Sequence, residues 1–536
     1  MLGLIIGVLL ITFIVIPILY VLARSLGLGE AGFTLANYQT FFDRPYYFNA
    51  LTNSLTLSIS VTAIVTTLCF MYAYLVTRIK NRILSTVLRA IALVPLLAPP
   101  FIFSISLITL GGRRGVVSQL LGMFFDIEFS IYGWSGVILA QIIGLFPLGF
   151  MMLENVLRSM DLNLEETSMD MGANQWRTLW SVTIPLVMPG IFKAILLVFM
   201  KSISDFATPM VIGGGLSFLA TDAYLLVVGQ HNMEMAAVLA TFLILPTMII
   251  FFIQNYILTD KKTRTTISGQ SAGTAQIRMA RSMKVAFSIP TALSAFLITT
   301  AFAVVFWSAF VVIPGVDNSF TLENFQTATG WDAMFTSLQV AVISATVVAF
   351  MGVIQAYLNV REKIPGRFLK EYIALFGMGV PGTVVGIGYI LAFNQAPLNL
   401  TGTLLIIIIS MVFRHLGVGV EGGISKLHQI GTNMEEASQD MGASKLVTFF
   451  RVVLPMMGSS FLYGFIYTFM CAMTSIAAAV FLVFPGTTLG AVYILHVAEQ
   501  GDVSRAAAMS VVLIAIVAIS LGILSKITSR THLSRL

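Results

Sequence analysis

The chain has 536 residues, 57% of them hydrophobic and 10% charged, and its mean hydropathy is +0.92, whereas a soluble globular domain carries roughly 25% charged residues. Water is therefore excluded as its main solvent, and the net charge of +6, spread over short loops, marks membrane topology instead of a nucleic-acid surface. Both cysteines, Cys69 and Cys471, lie in apolar stretches, which argues against a disulfide framework or a cysteine metal site.

Apolar runs of the length a bilayer demands, about 20 residues, recur along the chain, and each must cross as a helix to satisfy its backbone groups. The first, 2–23, has no basic segment before it and no small-x-small cleavage site, so a retained span is expected there instead of a signal peptide. Further spans are expected at 54–77, 84–110, 133–157, 184–206, 233–258, 286–312, 335–359, 368–394, 400–420, 455–483 and 504–526. Pro95 and Pro99-Pro100 interrupt the third of these, and Pro381-Gly382 with Gly386-x-Gly388 interrupt the ninth. Such breaks free carbonyls and permit bending, either in a moving, pore-lining element or as a static kink. In the outer part of the fifth span, Lys201 and Asp205 stand four residues apart on one helical face. Charges inside a membrane are costly and face a bundle interior, a cavity or a partner. The two are expected either to neutralise each other as a structural pair or to act as a gate or cargo-facing pair on a translocation path.

Placing both termini in the cytoplasm puts Arg78, Lys80, Arg82, Lys261, Lys262, Arg264, Arg278, Arg281, Lys284, Arg361, Lys363, Arg367, Lys370 and Lys526 on the inner side. The outer side then holds mostly Glu30, Asp43, Asp126, Glu128, Asp222, Asp317, Glu323, Asp332, Glu499 and Asp502, with Arg113 and Arg114 as a minority. Lys and Arg resist translocation, so this asymmetry sets the expected orientation.

The chain repeats itself. Residues 164–172 read LEETSMDMG and residues 434–442 read MEEASQDMG, and Pro185 with Pro455 and Ala236-Ala237 with Ala506-Ala507 keep the same spacing. Upstream, TLANYQTFF at 34–42 resembles TLENFQTAT at 321–329. Two six-helix modules, 1–258 and 286–536, joined by a cytoplasmic linker at 259–285, are expected to face one another around a central path. In each repeated segment a pair of acids, Glu165 with Glu166 and Glu435 with Glu436, falls in the first turn of a short helix, where carboxylates complement the exposed amides. Gly172 and Gly442 follow and either end that helix or allow close contact at its turn. Bulky residues outside the bilayer, Trp176 and Trp180 in one copy and Leu446 and Phe450 in the other, need a cover. Either the helix tucks against its own bundle or the lipid, or it is a peg for a cytoplasmic partner with two equivalent sites.

These segments resemble the EAA loop of bacterial binding-protein-dependent ABC transporter permeases: Glu-Ala-Ala, three residues, Gly, then Leu/Ile-Pro. The pattern falls on Glu166-Thr167-Ser168 with Gly172 and Ile184-Pro185, and on Glu436-Ala437-Ser438 with Gly442 and Leu454-Pro455. Thr and Ser replace alanines but remain small. The resemblance implies an all-α polytopic membrane protein, a duplicated type I importer (MetI-like) module of about 12 helices in the bacterial cytoplasmic membrane, in contact with lipid. It also implies a cytoplasmic ABC ATPase dimer coupled through Glu165, Glu166, Asp170, Gly172, Ala173 and Glu435, Glu436, Asp440, Gly442, Ala443, and a periplasmic or lipid-anchored substrate-binding protein. The chain has no G-x-x-x-x-G-K-[ST] segment, so ATP and Mg are expected on that separate ATPase, with no catalytic role, cofactor or nucleic acid for this chain.

Within the family, Ser204-Asp205-Phe206-Ala207-Thr208-Pro209-Met210 and the fused twelve-span layout resemble the ferric-iron uptake permeases, whose relatives carry 2-aminoethylphosphonate, thiamine, polyamines or sugar phosphates. The histidines are scattered and form no ligand cluster, and the path residues expected are Lys201, Asp205, Pro381 and Gly382. A secondary transporter would need ion-coupling groups near the midplane and no ATPase, and the duplicated pegs count against it. A membrane enzyme would need a nucleophile–base set that no spacing here supplies.

Overall fold

A computed structural model describes residues 2–28, 32–113, 115–126, 130–253, 279–362 and 365–530. Most of the expected linker, with Lys261, Lys262, Arg264 and Arg278, lies outside these residues, as do Glu30, Arg114, Glu128, Lys363 and His532.

Among the described residues nine helices are long and apolar enough to cross a membrane, and three further pairs reach that length across a sharp bend. Counting each bent pair as one span gives up to twelve. The chain is thus a multi-pass, helical membrane protein. Two of the bends fall where prolines interrupt the sequence. Helix Arg82–Leu93 passes through a 3-10 turn at Val94–Leu97 and turns by 105°, because Pro95, Pro99 and Pro100 offer no N–H to the ladder. Helix Arg367–Gly379 meets Gly382–Phe393 at 111°, with Pro381 in extended backbone at the corner. The third bend, 69° between Lys445–Met456 and Gly458–Thr474, falls at the start of the apolar run 455–483 and sets the entry helix at an angle to the span. The longest spans exceed their apolar runs at both ends: Pro45–Arg78 and Ala328–Val360 have 34 and 33 residues, or about 50 Å at 1.5 Å per residue.

Helix boundaries recur in the two halves at a spacing of 270 residues. Trp134–Ser159 corresponds to Leu404–Gln429, Asn163–Asp170 to Asn433–Asp440, and Gln175–Thr178 to Lys445–Thr448. The tightest contacts are made by small residues. A Cβ on Gly352 would stand 2.6 Å from the backbone of Gly419, so Ala328–Val360 and Leu404–Gln429 meet backbone to backbone, as small residues allow in lipid.

The opening helix of each half packs against the other half. The first span, Leu2–Ser25, carries a π-turn at Ile11–Val15 and lies against Gly382–Phe393 and Met233–Phe252. Pro17 has no N–H for the carbonyl of Phe13 one turn earlier, and the Tyr389 hydroxyl donates to that carbonyl instead, at 2.8 Å. Gly388 lets the helices approach there, since its Cβ would lie 2.7 Å from the Pro17 carbonyl oxygen. In the same way Arg281–Ala309 packs on Pro45–Arg78 and Ile102–Gly111 as well as on Val503–Arg530. One contiguous apolar core consequently runs through both halves.

Among the described residues the all-helical expectation meets one exception, a two-stranded antiparallel hairpin of Val311–Ile313 and Asp317–Phe320. It caps the end of the bundle remote from the repeated loops, where the Ser504 hydroxyl donates to Val312. No sequence feature marks it beyond Gly315, whose φ of +79° makes the turn.

Candidate functional site

Both repeated loops fold alike. Asn163–Asp170 and Asn433–Asp440 are eight-residue helices with the expected acids in the first turn. Gly172 and Gly442 adopt φ of +91° and +89°, with nothing within 4 Å of where a Cβ would sit. They are therefore left-handed helix stops, and the close-contact alternative does not apply. The cap is a Schellman turn: the Gly172 N–H donates to Met169 and the Ala173 N–H to Ser168, as Gly442 does to Gln439 and Ala443 to Ser438. Each stop is followed by a short helix and a π-turn, Leu179–Thr183 or Phe449–Val453, that leads into the next span.

Ser168 and Ser438 do more than stay small. Their hydroxyls hydrogen-bond Thr178 and Thr448 at 3.0 Å, pinning each eight-residue helix to the one after it. The two halves of each loop thus form a single rigid corner.

The acid pairs divide into an inward and an outward member. Glu165 is buried and ion-paired to Arg78 at 2.7 Å, each side chain only 2% exposed, and the same oxygen accepts from the Thr183 hydroxyl at 2.7 Å. Glu435 pairs with Arg361 at 2.7 Å, and Arg361 also donates to the carbonyls of Leu427 and Ile430. Each arginine closes the long helix that precedes it, Pro45–Arg78 or Ala328–Val360, so each loop is bolted to the end of a spanning helix. Glu166 is half-buried, whereas Glu436, Asp170 and Asp440 are exposed and Ala173 and Ala443 partly so. Apolar tips project beside them: Met171 and Met441 are 84% and 83% exposed, and Trp180, Leu446 and Phe450 are also open.

At the interface between the halves, Lys201 and Asp205 do not neutralise each other, which corrects the structural-pair expectation. Asp205 instead accepts from the Gln141 side chain at 3.1 Å and from the Thr208 N–H at 3.2 Å. Lys201 lies within electrostatic reach of Arg414 and Cys471 from the other half. Gly382 borders that cluster: its Cβ would stand 2.9 Å from both terminal nitrogens of Arg414 and 2.5 Å from Ala477. Pro381 supplies the corner that brings Gly382 there.

Sequence reasoning placed Arg78 and Arg361 only as topology markers and did not select Arg414. The last was visible as a cation inside the apolar run 400–420, the situation that marks an intramembrane functional candidate. Among the described residues no group of three or more His, Cys, Asp or Glu side chains could hold a metal ion.

Comparison with known proteins follows the same lines. A family model described as binding-protein-dependent transport system inner membrane component matches residues 71–263, a stretch that includes the first loop. A ferric transport system permease protein of Actinobacillus pleuropneumoniae is 32% identical over 79% of this chain and 63% of its own length. A putative ferric transport system permease protein of Haemophilus influenzae is 33% identical over 75% of this chain and 65% of its own. The alignments thus reach slightly less than two thirds of those relatives. Among solved structures, a bacterial ABC transporter involved in the import of the acidic polysaccharide alginate overlaps 44% of this chain and 87% of its own, with a TM-score of 0.39 and 15% identity. Residues 71–263 thus match the family described as binding-protein-dependent transport system inner membrane component, and along most of its length the chain is similar to ferric transport system permeases.

Proposed function

We propose that the chain is the membrane-spanning permease of an ATP-driven importer, a duplicated module in which the repeated loops couple a cytoplasmic ATPase dimer to the two halves. The observation that carries this is the pair of matching corners, each with an exposed apolar tip and each bolted by a buried ion pair to a spanning helix. Such a corner transmits force, because a push on Met171 or Met441 reaches Arg78 or Arg361 through hydrogen-bonded, capped helices and not through a floppy linker. Glu166, Asp170, Gly172, Ala173, Glu436, Asp440, Gly442 and Ala443 form the docking face, and Glu165 and Glu435 are the anchors behind it. ATP and Mg bind the ATPase chain, and this chain performs no catalysis.

Both loops lie at the end of the bundle that holds Arg78, Arg361 and Lys445, and the excess of Lys and Arg there supports a cytoplasmic placement with both termini inside. A periplasmic or lipid-anchored binding protein would deliver cargo to the opposite face. The resemblance to ferric transport permeases favours ferric iron as the element imported.

The test is site-specific cross-linking from cysteines placed at Glu166 and Glu436 in the full chain, in native membranes that contain the cell's own ABC ATPases. A nucleotide-sensitive adduct with an ATPase from both sites is expected. Labelling of either cysteine from the outer face, or recovery of full transport from this chain alone, overturns the proposal.

A further inference from the structure

Two cationic side chains lie within electrostatic reach of one another between the halves, and among the described residues neither is paired with a carboxylate. Lys201 sits in the last turn of Ile184–Ile203 and Arg414 ten residues into Leu404–Gln429. Among the described residues the Lys201 ammonium makes no hydrogen bond or ion pair, and the residue as a whole is partly exposed. Arg414 spends one N–H on the Ser475 hydroxyl at 3.1 Å, and the residue as a whole is partly exposed. The one carboxylate at hand in sequence, Asp205, is already held by Gln141 and Thr208.

The position is central. At the spacing of 270 that relates the halves, Lys201 corresponds to Cys471 and Asp205 to Ser475, and it is Cys471 and Ser475 that stand beside Lys201 and Arg414. Equivalent points of the two halves therefore approach one another here, where a path between them must run. The cluster is also built for the arginine. In the first half the position matching Arg414 is Gly144, packed against Pro100, whereas in the second half Gly382 clears room for the guanidinium.

Buried cations persist in a membrane protein where a cavity or a ligand compensates them. A lysine can shed its proton in such a place, but an arginine cannot, so positive charge remains in every state. A guanidinium presents a planar fork suited to oxyanions and an ammonium adds a mobile point charge. A bare ferric ion would be repelled by both.

We propose that Lys201 and Arg414 form an oxyanion-binding station on the path between the halves. Its ligand is a phosphate-, phosphonate- or carboxylate-type group, present either as the cargo itself or as an anion bound to ferric iron that reverses the sign of its charge. The inference rests on the permease reading for the existence of a path, but anion binding is a property of this chain alone and is tested separately from ATPase coupling.

The experiment is equilibrium dialysis of the purified full chain in detergent with radiolabelled inorganic phosphate. Saturable binding is expected in the unaltered chain, weakened at least tenfold in Lys201→Met and in Arg414→Met, and kept within about threefold in Lys193→Met, a lysine about two turns earlier in the same helix, Ile184–Ile203. Lys201→Arg keeps the charge and is expected to bind, which separates loss of charge from loss of fold. No saturable binding in the unaltered chain, unchanged binding in both methionine variants, or loss in Lys201→Arg as well would overturn the station. A second arm adds ferric citrate. Displacement of phosphate from the unaltered chain by ferric citrate but not by an equal concentration of citrate alone assigns the station to iron-bound anion, and displacement by citrate alone, or binding indifferent to both, assigns it to free oxyanion. Failure of the permease reading would appear instead as missing ATPase cross-links at Glu166 and Glu436, with phosphate binding intact.

Discussion

Replacing Arg78 or Glu165 singly, by Met in each case, leaves the partner charge buried and alone. Both side chains are only 2% exposed, so the appropriate magnitude is that of a broken buried ion pair, about 3–5 kcal/mol. Removing both at once removes the desolvation cost along with the attraction, and such double replacements are often neutral. The double variant should therefore be more stable than either single one, giving a coupling energy of about 2 kcal/mol or more in a double-mutant cycle. Arg361–Glu435 offers an internal comparison. It is more exposed, at 14% and 8%, and Arg361 keeps two carbonyl partners, so Glu435→Met should cost less, about 1.5–3 kcal/mol. The assay is reversible unfolding in mixed micelles, followed by the fluorescence of Trp176 and Trp180 in the first loop. A cost below about 1 kcal/mol for either single variant of the buried pair, or a double variant as unstable as the two single effects summed, would refute the anchoring argument. Transport separates stability from coupling, because the double variant should fold yet import poorly, its loop no longer bolted to the spanning helix.

Two further outcomes follow from the packing. Tyr389→Phe strands the Phe13 carbonyl that Pro17 has already deprived of its helical donor, at a cost of about 1–3 kcal/mol; Pro17→Ala restores that donor and should recover most of the loss in the same unfolding assay. Asp222 lies in Leu219–Val228, which is too short to span, and burial pushes its carboxyl from 3.8 up to about 6, with the Tyr46 hydroxyl opposing the rise. Folding therefore retains a proton that the unfolded chain has released between about pH 4 and 6, so the Asp222 contribution to stability is fully present below about pH 4 and is lost as the pH rises through 6. The loss is about 3 kcal/mol, Asp222→Asn should flatten that slope, and a slope of opposite sign or one unchanged in the variant would contradict the burial argument.

Spans and loops were legible because their signals are local. Apolar length alone located the membrane helices, and proline placement located two of the three bends, since a missing N–H acts within its own turn. The helical stop at Gly172 was legible for the same reason. The partners of Glu165 were not, because Arg78 lies 87 residues away and any of several basic residues could have served. Lys201 and Asp205 show the opposite error: four-residue spacing invited a pairing on one helical face, but the helix ends at Ile203, before Asp205, and Gln141 from another helix satisfies the carboxylate. The hairpin at Val311–Phe320 escaped because a two-stranded ribbon of seven strand residues has too few alternating positions to stand out from a polar loop.

The lodging of each opening helix in the opposite half bears on how the molecule is made. When Leu2–Ser25 enters the membrane, the helix it will nest against has not been synthesised; the Tyr389 hydroxyl that completes its backbone lies 376 residues downstream. Until then the Phe13 carbonyl lacks both the Pro17 donor and the Tyr389 hydroxyl, a state that favours holding by the insertion machinery or a transient lipid-facing pose. Neither half, expressed by itself, would have a finished lateral wall, whereas the two supplied as separate chains could still assemble by exchanging their first helices.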